Sequence, residues 1–423
     1  MRWTEWGVAA LLLAAGTPAM GQGCSWQPVW ASAQMVPGGE NRLAPGAMTD
    51  GSLRQIVRVS AGGPRIRVRV SNAFGTQPLT IRAASVARPM RIDAAGVDAA
   101  SIAALRFGGR AGAVVPAGAD WLSDPVALPV RAFDDLAVTL HVAGEPGEQT
   151  SHPGSRATSW LARGDATRDP EMAGATPTEH WFNLSGVEVE ACERRGAVVV
   201  LGDSITDGRG STTNGNNRWP DLLARRLAAD PRTRGMPVLN QGIGGNRVLA
   251  DGLGPSALAR LDRDVLALAG ITDLILFEGV NDIGTLSRAE QPRRRDADEL
   301  FDRLTAAYTQ IVARARARGI RVHGATITPF GASDYYHATP LIEGLRQRVN
   351  AWIRTPGHFD GLIDMDRAVA DPTRPKRIDP ALDTGDGLHP NPLGFDRMAA
   401  VVPLGALAGG RAPGLTGEAA SLR

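Results

Sequence analysis

The chain has 423 residues, 43% hydrophobic and 21% charged, with a formal net charge of +2. That length suggests two domains, and the composition is that of a soluble globular protein rather than a disordered one. The near-neutral balance gives no case for nucleic acid or an anionic surface as a partner, and no apolar run is long enough to span a bilayer.

The first element is a secretory signal, read over residues 1–21. Arg2 is the basic start, "GVAALLLAAG" (7–16) the short apolar core and "TPAMG" the small-residue end, with cleavage near Gly21. The protein is therefore expected to be secreted or periplasmic. Its two cysteines, Cys24 and Cys192, form a candidate disulfide in an exported chain. Such a bridge would pin the mature N-terminus to the segment just before Ser204.

Residues 22–193 read as a β-domain. "LRQIVRVS" (53–60), "RIRVRVSNAF" (65–74), "LTIRAASVA" (79–87) and "DLAVTLHVAG" (135–144) alternate with period two, the signature of strands with one buried face. "GGP" (62–64) and "GTQP" (75–78) separate strands at hairpin spacing. No amphipathic helix interrupts the pattern, which predicts an antiparallel, jelly-roll-like β-sandwich.

The pattern changes near residue 194. "AVVVLGDS" (197–204) is continuously apolar, as in a strand covered on both faces. A helix is predicted over 218–230, with Pro220 in its first turn. Further strands are predicted within 273–282 and 320–329, and helices over 296–319 and 341–355. On the 296–319 helix, Leu300, Leu304, Tyr308, Ile311, Val312 and Ala315 mark one face. Strands alternating with helices imply a parallel sheet with helices on both faces, over residues 194–408. A Gly/Ala-rich tail, 409–423, follows. Active sites of such sheets lie beyond the carboxyl ends of the strands, where Ser204, Asn281 and Pro329 all fall.

A serine hydroxyl needs a base to become a nucleophile, and a histidine base needs a partner for its second nitrogen. Two of the seven histidines have an aspartate three residues earlier, Asp334 with His337 and Asp386 with His389. The second pair sits in the rigid loop "TGDGLHPNPLGF" (384–395), which favours it. Hydrolysis also needs donors for an oxyanion. "NQGIGGNRV" (240–248) offers glycine N–H groups and "EGVND" (278–282) offers the Asn281 amide, though either stretch also reads as an ordinary turn.

Taken in order, "GDSITDG" (202–208), "GIGGN" (242–246), "GVND" (279–282) and "DGLHPN" (386–391) resemble the four blocks of the SGNH/GDSL hydrolase superfamily. The resemblance covers about half the chain. It implies a three-layer α/β/α hydrolase domain with Ser204 as nucleophile, His389 as base and Asp386 as its orienter. Its oxyanion hole would be the Ser204 and Gly245 N–H groups and the Asn281 side chain. Gly245 is preferred to Gly244 because it lies five residues after Asn240, the block's layout. Asp203 and Asp282 are expected to hold loop backbone. No cofactor is implied, and no metal-ligand spacing occurs.

The overall layout is similar, more loosely, to secreted bacterial carbohydrate esterases of the acetylxylan type, which carry a β-domain before the catalytic half. "WASAQ" (30–34) and "RVRVSNAFG" (67–75) belong to that likeness. The expected partner is an acetylated polysaccharide or oligosaccharide. Trp219, Tyr335 and Tyr336 are candidates to stack on sugar, and Arg218 and Arg247 to hold a carboxylate or phosphate. Packing or solvated surface is the competing reading for each. The alternatives are a lysophospholipase or lipase-type esterase, and a glycan-binding protein with a residual hydrolase half.

Overall fold

In the N-terminal region, alternation along strands such as Ile66–Ser71 buries one face and leaves the other more open, while central strands such as Asp135–Val142 are buried on both. A computed structural model of the chain describes residues 24–193, 195–288 and 292–407. The predicted signal at 1–21 and the tail at 409–423 lie outside these residues. In the strand Ile66–Ser71, Ile66, Val68 and Val70 are fully buried, while Arg67 and Arg69 turn outward and share Glu188 on the neighbouring strand. An antiparallel four-stranded sheet runs in the order Ser25–Ala31, Leu184–Ala191, Ile66–Ser71, Asp120–Leu122. A larger antiparallel sheet is centred on Gly51–Arg58, Asp135–Val142 and Leu79–Ala87. Side chains from both sheets, among them Val68, Val187, Leu53 and Val138, form one apolar core.

The hairpins expected at "GGP" and "GTQP" are not formed. Gly51–Arg58 and Leu79–Ala87 lie in the larger sheet and Ile66–Ser71 in the smaller one, so each link crosses between sheets. Hairpin spacing in sequence does not choose the pairing partner. Burial of the apolar face does, and here it places successive strands on opposite sides of the core.

In the C-terminal region five parallel strands run in the order Val238–Gly242, Ala197–Gly202, Ile271–Phe277, Arg321–Ala325, Gly361–Ile363. The helices in chain order are α1 (Ser204–Asp207), α2 (Trp219–Ala229), α3 (Ala257–Leu261), α4 (Val280–Ser287), α5 (Arg294–Arg316), α6 (Pro340–Arg354), α7 (Met365–Val369), α8 (Pro392–Ala400) and α9 (Leu404–Leu407). Alternate residues of the central strands feed two cores. Val199, Leu201 and Leu276 pack with Leu304 and Ile311 of α5 and Val349 of α6. Val198, Val200 and Phe277 pack against Leu223 and Leu227 of α2 and Phe395 and Met398 of α8 on the other face. Every residue of Ala197–Gly202 is buried, which is why its sequence is unbroken apolar.

From Ala197–Gly202 the chain first goes to one neighbour, Val238–Gly242, then crosses to the other, Ile271–Phe277. The crevice where such a sheet reverses direction opens at the end of the first strand, which is where Ser204 stands. The Val238–Gly242 and Gly361–Ile363 strands and α4 carry too little periodicity to be read from sequence. The first includes Asn240 and Gln241, the second is three residues long, and α4 starts only after Gly279 turns the chain at φ 117°.

The two regions are joined by many contacts. Cys24 and Cys192 are disulfide-bonded across a separation of 168 residues. Gln27 Nε2 donates to Gly196 O at 2.9 Å, and Arg263 Nη2 to Gln34 O at 2.9 Å. Ser60 Oγ meets both the N–H and the carbonyl of Val238.

Candidate active site

Ser204 is the first residue of α1, a single turn entered through Asp203, whose Oδ1 accepts the Ile205 N–H at 2.9 Å. The turn stops at Gly208, φ 99°, where a Cβ would lie 2.2 Å from Arg218 Cγ. His389 comes from the loop before α8. Asp383 binds the N–H groups of Gly385 and Gly387, and the His389 carbonyl accepts from Thr384 N at 3.0 Å. Gly387, φ 70°, approaches Ala332 so closely that a Cβ would meet its carbonyl carbon at 2.3 Å.

That loop brings His389 Nε2 to 2.9 Å from Ser204 Oγ, although 185 positions separate them. On the other side of the ring, Nδ1 lies 2.7 Å from Asp386 Oδ2. Asp386 Oδ1 accepts the N–H groups of Leu388 and His389 at 2.9 and 2.8 Å. Partial burial works to raise the Asp386 pKa, but the His389 ring and these two N–H groups outweigh it and hold the carboxyl well below the usual range. An ionised Asp386 only accepts, so Nδ1 carries the ring proton and Nε2 is left as acceptor for the serine hydroxyl.

Asn281 lies in the first turn of α4. Tyr336 Oη donates to its Oδ1 at 2.8 Å, and its Nδ2 donates to Asn246 O at 2.7 Å. The amide is thereby fixed, with one Nδ2 hydrogen unspent. Gly245 has φ 70° and stands one residue before Asn246. Among the described residues, neither the Ser204 nor the Gly245 backbone N–H has an acceptor.

Beneath these groups lies Arg260 of α3, with no side-chain exposure. It donates to Gly202 O at 3.1 Å, Gln241 O at 2.7 Å and Asn246 Oδ1 at 2.8 Å, so one guanidinium ties two strand ends to the glycine loop. It also meets Asp264 and Glu278. Asp282 accepts from Val248 and Leu249 N–H at 2.8 and 3.1 Å. Burial pushes Asp203 up to about 7 and Asp282 up to about 6, against the N–H groups that favour their ionised forms. Asp282 binds loop backbone as expected, whereas Asp203 caps α1.

The candidates for substrate contact are distributed differently from the sequence reading. Trp219 is fully buried, edge-on to Phe277 at 6.3 Å, and cannot face a sugar. Arg218 is 7% exposed, and its guanidinium is held by Asp221 at 2.7 and 3.0 Å. Tyr336 is 4% exposed and serves Asn281. Tyr335 is exposed, with the Arg288 guanidinium 3.7 Å above its ring, and Arg247 bonds the Asp251 carbonyl. Aromatic and cationic types alone do not tell core from rim. Arg260 was missed as well. Its signal is present in "ALARLDRDVL" (257–266), where Arg260 and Asp264 fall on the apolar face at i,i+4.

Beside α1 lies a cleft of about 630 Å³ with walls from both regions. His152, Arg156, Glu179 and His180 line it from the N-terminal side, Asp207, Arg209, Gly244 and Leu253 from the other. Among the described residues no group of three or more His, Cys, Asp or Glu side chains is set to hold a metal ion, and no helix is long and apolar enough to cross a membrane.

Residues 200–397 match the model of the GDSL-like lipase/acylhydrolase family. No curated protein matches the chain. Solved structures similar to it include a GDSL-like lipase from Bacteroides thetaiotaomicron VPI-5482 (19% identity, 50% of this chain and 88% of that chain, TM-score 0.36). They also include an acetyl xylan esterase from Geobacillus stearothermophilus (22% identity, 51% and 95%, TM-score 0.38).

Proposed function

Residues 200–397 form a GDSL-like lipase/acylhydrolase domain of the SGNH/GDSL superfamily, a carboxylic ester hydrolase, and on that premise we propose that the protein is an exported serine esterase removing O-acetyl groups from polysaccharides. The observation that carries the catalytic assignment is the unbroken chain Ser204 Oγ, His389 Nε2, His389 Nδ1, Asp386 Oδ2, with links of 2.9 and 2.7 Å. Ser204 Oγ attacks the ester carbonyl while His389 Nε2 takes its proton. The carbonyl oxygen becomes an oxyanion, received by the Ser204 and Gly245 N–H groups and the remaining Asn281 Nδ2 hydrogen. The imidazolium, stabilised by Asp386, returns the proton to the leaving alkoxide. Water, activated by the same imidazole, then attacks the acyl-enzyme, releasing acetate and restoring Ser204.

The acetyl reading is supported by the surroundings. A long acyl chain calls for a continuous apolar trough; the cleft beside α1 is mixed, its apolar Met35, Val36, Ile243 and Leu253 interleaved with Arg156, Glu179, His180 and Arg209. A small acyl group on a hydroxylated alcohol suits those walls. Export is supported by the N-terminal sequence pattern and by the bonded cysteines. We read residues 22–193 as a jelly-roll-like β-sandwich domain, supported by two antiparallel sheets over one core, and residues 194–408 as the hydrolase domain.

The test is acetate release from acetylated polysaccharides, with lysophospholipids in parallel. Ser204→Ala should lower turnover on an acetyl ester at least about ten-thousand-fold with an unchanged melting temperature. Near-native rates in that variant would refute the catalytic assignment. Fatty-acid release without acetate release would refute the substrate.

A further inference from the structure

A cleft beside the nucleophile takes most of its lining from the N-terminal region, which no hydrolytic step uses. It adjoins the reacting centre by short covalent and packing links. Its wall residue Asp207 ends α1, which Ser204 begins, and the Arg209 N–H donates to Ser204 O at 2.9 Å. Gly244 precedes the oxyanion glycine, and Leu253 is so near Gly245 that a Cβ there would meet it at 3.0 Å. If the acyl group is acetyl, one methyl is all that lies on the acyl side of the ester. Whatever fills this cleft must then be the alcohol part.

Two arginines line that cleft, Arg156 from the N-terminal region and Arg209 from the other. Arg156 has its Nε buried with no acceptor, and among the described residues no carboxylate lies within ion-pair distance of it. Its backbone is left-handed at φ 50°, a conformation costly for a residue other than glycine. The segment is fixed there by the catalytic side: Asn214 N donates to Arg156 O at 2.9 Å, and Asn214 Oδ1 accepts from Thr158 N at 2.8 Å. Arg209 is exposed, and its side chain likewise has no acceptor among the described residues. The acids of the cleft do not cancel this pair. Asp207 is engaged by His152 at 2.9 Å, which leaves Glu179 as the one unengaged carboxylate among the lining residues. His180 Nδ1 donates to Pro153 O at 2.7 Å, which leaves Nε2 as the ring nitrogen without a partner among the described residues.

We propose that this cleft is the leaving-group subsite, and that Arg156 and Arg209 select acetylated glycans carrying a carboxylate, a uronic acid residue near the ester. The inference rests on the acetyl esterase reading above. Arginine suits a carboxylate by its planar, two-donor geometry. The N-terminal region is by this account half of the substrate site and not a cover for the hydrolase.

The experiment compares kcat/KM for acetylated xylo-oligosaccharides with and without a glucuronic acid branch, using the full-length enzyme. The wild type should favour the acidic substrate about tenfold, an advantage that shrinks as salt rises. In Arg156→Gln/Arg209→Gln that ratio should fall to about one, mainly through KM, while Arg156→Lys, which keeps the charge but not the two-donor plane, should keep only part of it. Equal ratios in wild type and double variant, or a wild type indifferent to the carboxylate, would overturn the proposal. If neither oligosaccharide is deacetylated, the acetyl esterase reading itself has failed, which is a different result.

Discussion

His152 Nε2 stands 2.9 Å from Asp207 Oδ1, joining the N-terminal region to the last residue of the nucleophile's helix. Both side chains are more than nine-tenths buried. His152 Nδ1 is 2.7 Å from Ala33 O, a carbonyl that can only accept. Nδ1 therefore carries a proton, and Nε2 faces the Asp207 carboxyl. Gly154 makes the approach possible, since a Cβ there would sit 1.8 Å from Asp207 Oδ2. Removing one partner of a buried pair strands the other. His152→Ala should therefore lose about 3–5 kcal/mol of stability, read as a fall in denaturation midpoint. His152→Ala/Asp207→Ala should recover part of that loss. Equal midpoints for wild type and His152→Ala would show the pair to be inert.

On the proposed assignment, Tyr336 acts on the reaction through Asn281. Its hydroxyl fixes Asn281 Oδ1, and so decides which end of the amide faces the oxyanion. Tyr336→Phe should lower kcat by about two- to tenfold, the worth of one neutral hydrogen bond, with KM nearly constant. Asn281→Ala should cost about a hundred- to a thousandfold. In the double variant the Tyr336 effect should vanish, because the amide it orients is gone. Steady-state kinetics on an activated acetyl ester checks all three.

Asp282 gives a pH dependence of definite sign. Burial raises its pKa in the folded state to about 6, above the usual carboxylate value of 3.8. The folded protein then binds more protons than the unfolded chain between those values, so the group costs stability as pH rises through that window. The full penalty, up to about 3 kcal/mol, is present above pH ~6 and absent below pH ~4. Relative to Asp282→Asn, the wild type should therefore lose melting temperature from pH 4 to 6. A difference curve flat across that window, or one rising with pH, would contradict the burial argument.

The disulfide closes a long loop, with 168 positions between Cys24 and Cys192. In the loop-entropy model such a closure is worth about 5 kcal/mol. Reduction, or Cys24→Ser/Cys192→Ser, should lower the midpoint of thermal unfolding by several degrees. Free-thiol titration of the unfolded, unreduced protein should find none, and two thiols there would refute the bond.

The local sequence was sufficient wherever one segment's own periodicity or turn chemistry sets the structure. The buried strand Ala197–Gly202, helix α5 and the strands at 51–58 and 135–142 follow from apolar spacing, because burial of one face or both is a local pattern. The turns of the four blocks are local for the same reason. Each is a short turn with fixed requirements, such as Gly387 at φ 70° and Gly279 at φ 117°. Tertiary structure decided which groups meet. It set Ser204 beside His389, placed successive N-terminal strands in opposite sheets, took Trp219 and Arg218 into the interior, turned Tyr336 onto Asn281 and put Arg260 under the oxyanion loop. Those outcomes depend on contacts far apart in the chain, where the free energy of burial and of satisfying buried polar groups is shared among segments. No single segment encodes that share.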